Sequence, residues 1–440
     1  MLAVMAPALL ALAAAVAFAG ARRWSIVVAV VAALGTSQLW QVGITARPEV
    51  FVCVILLCSS ALRPPLAAAP VANRNILTLL GFWLAYATAV SLAFSPRPAD
   101  SISLIIWSAL SMSALWWLPR LGLTAREVVC FGTAVVLAHA LFAIGAWLLA
   151  QTGSANYFVF LDFGDTNYRA RGITLEPNIL GSTSVAWITV VYYWRHVVPR
   201  WVLLSTVPIA AAGLTSLTRT TIACLLLVGA IIALRNFGSF VRGAVLAAVS
   251  IPVLLSVAGS SVLAAQGRAA SLLDFNDFSQ GTGAFRSRSW QLALDDLSNG
   301  TGWLTGFGIN SFPQRYEAYV NHKSLDYLSN FWITTLYDTG VVGAFLLVLA
   351  LVAIVRAVPR KYDALPFFIG FAISQSVTST SWLLFTWFTV AAMLLPNAVE
   401  AQDSSPKGRV DPVDGSIPGA PPRPSITPVP AARRALGRHH

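Results

Sequence analysis

The residues of this chain best suited to chemistry are arginines placed among hydroxyls and glycines where apolar stretches begin or end. The first group, RARGITLEPN at 169–178, carries Arg169, Arg171, Glu176 and Asn178. Pro177 suits the first turn of a helix there. Two guanidiniums and a carboxylate would meet the free N–H groups of a helix start, which favour anions by hydrogen bonding and dipole. The plain alternative is that Glu176 caps the helix and the arginines touch lipid phosphate. The second group, SLTRTT at 216–221, sets Arg219 between two apolar segments with almost no loop. Its plain alternative is a snorkelling anchor. The third, FRSRSW at 285–290, holds Arg286 and Arg288 and opens a segment whose Trp290, Leu294 and Leu297 share a helical face. That spacing predicts an amphipathic helix lying on a membrane surface, with Trp290 at headgroup depth. A glycine-rich turn, GFGINSF at 306–312, follows, and then Tyr316, Tyr319, His322 and Lys323.

A guanidinium pairs two oxygens at once and stays charged at any relevant pH. Arg169, Arg171, Arg219, Arg286 and Arg288 together therefore suit a diphosphate on a lipid carrier. Asn178, Asn310, Asn330 and Tyr316 are the residues placed to orient sugar or acceptor, and Glu176 or His322 to take a proton. There is no DxD, no His pair at helical spacing and no Cys/His cluster, so neither a metal nor a cofactor is expected. A transferase built this way would stabilise its leaving diphosphate with arginine. His139, inside an apolar segment, and His196, beside Arg195, have weaker claims, and His322 by itself reads as an ordinary loop histidine. Cys53, Cys58, Cys130 and Cys224 lie in apolar segments at spacings that fit core packing.

Everything around these groups is apolar. Of 440 residues, 57% are hydrophobic and 11% charged, which excludes a water-soluble globule. The sequence predicts an all-α polytopic membrane protein with about 12–13 spans. They fall at 2–20, 24–43, 49–66, 75–95, 101–119, 127–150, 177–194, 201–217, 220–235, 241–264, 330–355, 363–380 and 381–398. The net charge of +11 comes largely from short loops, where it sets orientation and meets anionic headgroups of membrane lipids; nucleic acid is not an expected partner. Residues 1–20 resemble a signal peptide without a basic start and read as the first span.

Arg22, Arg23, Arg63, Arg74, Arg120, Arg126, Arg195, Arg200, Arg235, Arg242, Arg356, Arg360 and Lys361 fall in every second loop. The positive-inside rule makes those loops cytoplasmic and puts 151–176 and the polar stretch 265–329 outside. The resulting organisation has N-terminal helices at 1–119, core helices with the 151–176 loop at 120–264, a long outer catalytic loop at 265–329 and C-terminal helices at 330–398. The Pro-rich basic tail, 399–440, has too few apolar residues to bury a core and is expected to be disordered and cytoplasmic.

Four stretches together resemble the O-antigen ligase and polymerase superfamily: RARGITLEPNILGS (169–182), SLTRTT (216–221), FRSRSW (285–290) with GFGINSF (306–312), and SNFWITTLYDTGVVG (329–343). The resemblance covers roughly residues 120–360. It implies a metal-independent, inverting glycosyltransferase with a GT-C-like membrane fold, located in the bacterial cytoplasmic membrane. Such an enzyme moves glycan from a polyprenyl diphosphate carrier to an acceptor hydroxyl, on a glycan or a lipid, at the outer face. By the same resemblance Arg171, Arg219 and Arg288 hold the diphosphate, and Gly340 and Gly343 match glycines opening the helix after the loop. One departure is marked: ligases of the family carry a histidine where this chain has Ser329, followed here by Asn330. That tilts the expectation toward a polymerase over a ligase. A transporter or flippase of lipid-linked glycans is the competing class, and the nearly charge-free spans count against it.

Overall fold

The computed structural model describes residues 21–35, 40–41, 45–62, 71–154, 156–161, 168–235, 281–300, 302–316, 328–377, 380 and 382–396. The expected spans 2–20 and 241–264, residues His322 and Lys323, and the 399–440 tail lie outside the described residues.

The described residues are helical almost throughout. In order come α1 (Arg22–Leu34), α2 (Pro48–Ala61), α3 (Val71–Phe94), α4 (Pro98–Met112), α5 (Ala114–Arg120), α6 (Ala125–Gln151), α7 (Pro177–Tyr193), α8 (Arg200–Leu204), α9 (Thr206–Thr215) and α10 (Arg219–Arg235). Then follow α11 (Gly281–Ser298), α12 (Gly302–Thr305), α13 (Ser311–Arg315), α14 (Phe331–Ala357), α15 (Lys361–Val377) and α16 (Leu384–Met393). Among the described residues four stretches are long and apolar enough to cross a membrane: Arg74–Phe94, Pro98–Arg120, Ala125–Gln151 and Phe331–Ala357. They turn large apolar side chains such as Phe82, Leu92, Leu141 and Phe345 outward, as helices bathed in lipid do.

The structure corrects several expected elements. Two short antiparallel hairpins, β1 (Trp40–Gln41) with β2 (Thr45–Ala46) and β3 (Val159–Leu161) with β4 (Tyr168–Ala170), join the helices. The expected 24–43 helix ends at Leu34, where the sequence turns to Gly35, Thr36 and Ser37, poorer helix formers. The 101–119 helix bends at Ser113, whose hydroxyl donates to Leu110 O at 2.6 Å and competes with the backbone ladder. The 201–217 helix divides at Ser205, because Pro208 has no N–H for the preceding turn.

The core is aromatic. Trp117, Trp187, Trp194, Phe385 and Phe388 are fully buried where α5, α7 and α16 meet. Two of the three indole N–H groups find partners, Trp187 on Thr133 at 3.0 Å and Trp194 on Ala392 O at 3.0 Å, while that of Trp117 has none among the described residues. Gly132 makes room for this packing, since a Cβ there would sit 2.4 Å from the Trp187 ring. Helix α14 packs along α3, and α15 packs between α7 and α10. At the start of α6, Thr124 and Glu127 form a reciprocal capping box.

Candidate functional site

The start of α7 is the centre of the site. Strand β4 delivers Arg169 opposite Phe160 of β3 and then runs through Arg171 and Gly172 to Glu176, the N-cap of α7. Arg169 reaches across two elements. Its Nε donates to Ser216 O at 3.0 Å and its Nη2 to Asn178 Oδ1 at 3.3 Å. The hairpin, the first turn of α7 and the α9–α10 bend are thus held by one guanidinium. Glu176 has extended backbone geometry and its side chain does not cap the helix, so the plain reading of that residue fails.

Arg219 begins α10 just past this bend and is half-buried. Leu217 turns the chain with a φ of 48°, and the hydroxyls of Ser216, Thr218 and Thr221 bond in series beside Arg219. Helices α7 and α10 approach backbone to side chain here: a Cβ on Gly181 would fall 1.8 Å from Thr221 Oγ1. That contact sets Arg219 next to the N-terminal turns of α7. Among the described residues Arg219 makes no hydrogen bond and no ion pair.

Arg171 is placed differently. Its Nε donates to Tyr157 O at 2.8 Å, Nη2 donates to the same carbonyl, and Nη1 donates to Leu175 O at 3.3 Å. The guanidinium also lies 4.3 Å from the Tyr157 ring centroid. It therefore ties Tyr157 to Leu175. Carbonyl partners satisfy its N–H groups without cancelling its charge, which still adds to the local positive field. His139 is structural: its Nε2 accepts from Ile173 N–H at 3.2 Å and packs against Gly172, which has a φ of 57°.

Arg286 and Arg288 ride on α11, which packs on α14 and α12 instead of lying free on a surface. Its buried stripe is Ser289, Ala293 and Leu297, one residue off the expected face, and Leu294 points outward. Trp290 is half-buried and donates its indole N–H to Leu328 O at 2.5 Å, an internal tie between α11 and the start of α14. Arg288 is exposed.

Leu328 leads into Asn330, which accepts from Trp332 N–H at 3.0 Å and Ile333 N–H at 3.1 Å and so caps α14. Trp332 donates to Ser376 of α15 at 3.1 Å, and Ser374 of α15 bonds Ser182 of α7 at 2.7 Å. Ser182 lies four residues, about 6 Å, into α7 from Asn178. These links bring the starts of α7, α10 and α14 and the end of α15 to one end of the bundle. Arg169, Arg171 and Arg219 stand at that end, and α11, which carries Arg286 and Arg288, is tied to the start of α14 by the Trp290–Leu328 bond.

The remaining expected site residues hold the loop. Asn310 adopts left-handed backbone, with a φ of 57°, and its N–H donates to Asp338 Oδ2 at 3.1 Å. Tyr316 lies tilted against Phe312, with ring centroids 4.8 Å apart, and burial followed by the neighbouring Asp296 carboxylate pushes its phenol pKa up to about 12. Gly340 sits at a break inside α14 where two helical segments meet, and Gly343 lies in the first turn of the second segment.

Two groups escaped the sequence reading. Arg47 falls in a loop opposite those the positive-inside rule makes cytoplasmic, yet it is fully buried. It stands 4.0 Å from the Trp382 ring and 3.8 Å from Glu49. A charged pair bracketing Pro48 at the start of an apolar run was the available signal. Asp338 is the second, visible as a lone acid in the apolar 331–357 stretch. Among the described residues no cluster of three or more His, Cys, Asp or Glu could hold a metal ion. No protein-family model matches the chain, and no curated protein matches it either.

Proposed function

We propose that this chain is a multi-pass membrane glycosyltransferase acting on a saccharide linked to a polyprenyl diphosphate. The observation that carries the reading is the gathering of Arg169, Asn178, the Ser216–Thr218–Thr221 hydroxyls and Arg219 around the first turn of α7. A site of this kind combines helix N–H groups, a half-buried guanidinium and hydroxyl donors, which suits a diphosphate that gains negative charge as it leaves. In this reading Arg219 and Arg288 contact the diphosphate, and Arg171 holds the loop that closes over it.

The chemistry balances without a metal. Glu176 takes the proton of an acceptor hydroxyl, whose oxygen forms a bond to the anomeric carbon from the face opposite the diphosphate. The bond between that carbon and the phosphate oxygen breaks, and its electron pair leaves on the diphosphate, where arginine stabilises it. The proposal includes about a dozen spans in a bacterial cytoplasmic membrane, with this end of the bundle facing outward. Ser329, at the position of the ligase histidine, favours chain elongation over attachment to a final acceptor.

The test is the lipid-linked glycan profile of cells carrying Arg219→Ala in place of the native chain. Single repeat units, with the variant present in the membrane at native level, are expected. Full-length chains stranded on the carrier would reassign the protein as a ligase, and a native ladder would refute the site.

A further inference from the structure

Helix α14 is interrupted at Gly340, where φ is 61° and ψ is −171°. The break frees the carbonyls of residues 337 and 338, which would otherwise accept from 341 and 342. Loop amides take them over: Phe307 N–H donates to Tyr337 O at 2.9 Å and Gly308 N–H to Asp338 O at 2.9 Å. The two chains touch backbone to backbone. A Cβ on Gly306 would lie 2.4 Å from Asp338 O, and one on Gly340 would lie 2.3 Å from Leu304 O. Only glycine fits on both sides of this joint.

Asp338 stands in the joint, 4% exposed. Its carboxylate collects the N–H groups of Asn310, at 3.1 Å, and Ser311. Among the described residues no Lys or Arg pairs with it, and neither its Oδ1 nor the Ser311 hydroxyl has a hydrogen-bond partner. A carboxyl group in such a place is costly and would be replaced by an apolar residue if packing were its only task. The segment it holds is clamped on the far side as well. Ile309 N–H donates to Ser91 at 2.9 Å, Ser101 donates to Ile309 O at 2.5 Å, and Gln314 accepts from Ser95 at 2.9 Å. Helix α11 stands on the same joint, with Ala293 and Leu297 against Phe312 and Tyr337, and with Tyr337 donating to Asp296 at 2.8 Å.

We propose that Asp338 is a positioning residue of the site: its acceptor oxygen seats the 306–311 segment in the break of α14 and thereby fixes where α11 presents Arg288. This rests on the glycosyl-transfer reading for its consequence, though not for its geometry. Both donors are neutral backbone N–H groups, so an acceptor oxygen is what the position requires and a negative charge is not.

The experiment compares the full-length protein with D338A and D338N by amide hydrogen exchange, alongside transfer measured against donor concentration. D338A is expected to speed exchange at 307–311 by about tenfold or more while α6 and α7 keep native rates. It should also raise the donor concentration for half-maximal rate more than it lowers the maximal rate. D338N, which keeps an acceptor oxygen, should restore both. Native protection in D338A, or an opening in D338N as large as in D338A, would overturn the proposal. Should D338A fail to fold, faster exchange at 307–311 in D338N than in the native chain overturns it alone. Absence of any transfer by the native protein, with exchange as expected, would sink the glycosyl-transfer reading and leave the positioning role standing.

Discussion

The two polar ends of the helix bundle use arginine differently. At one end two cations meet acids, Arg23 at 2.7 Å from Glu127 and Arg195 at 3.0 Å from Asp363, while Arg120 and Arg235 donate to the carbonyls of Trp116 and Tyr362. At the other end Arg171 gives its hydrogen bonds to carbonyls, and Arg219 makes no bond among the described residues. A carbonyl satisfies an N–H group but leaves the positive charge in place, so the second end keeps a field that attracts anions. The first end is built to be an anchor. In the proposed function the second end holds the diphosphate.

That contrast can be broken in several places. The largest effect is expected from Gly181→Val, because the added carbons collide with Thr221 and force α7 from α10. A loss of about 3 kcal/mol is expected, read as a lowered melting temperature in detergent. Arg171→Ala removes three hydrogen bonds to Tyr157 O and Leu175 O and should cost about 2 kcal/mol of local stability. Limited proteolysis should then cut within 157–175, while Arg169 still holds Ser216. Asn330→Ala removes a helix cap and should cost about 1 kcal/mol. If glycan transfer falls far more than that loss explains, Asn330 touches sugar in addition to capping α14. The smallest effect belongs to the anchoring end: Arg195→Ala should change stability by less than about 1 kcal/mol and leave glycan profiles native.

The sequence was informative where composition or side-chain chemistry acts locally. Apolar runs marked the helices, and Pro177 marked the start of one. The arginine groups at 169–171 and 219 were legible because a cation beside lipid needs a reason. What escaped depends on partners distant in the chain. The interruption of α14 arises because residues 304–308 fill it, a contact no local pattern announces. The buried face of α11 was misjudged by one residue because Tyr337 and Phe312 select it, where hydropathy alone favoured Leu294. Arg47 looked like a loop arginine because Trp382, which covers it, lies more than three hundred residues away.

The central claim is that the end holding Arg219 binds a diphosphate and the end holding Arg195 does not. The most direct test reconstitutes the native protein, Arg219→Ala and Arg195→Ala in vesicles carrying a polyprenyl-diphosphate-linked oligosaccharide, with a chelator present, and measures its transfer to acceptor. Native protein and Arg195→Ala should transfer at matching rates, with Arg219→Ala slower by about 100-fold. Equal rates for Arg219→Ala and the native protein would contradict the account.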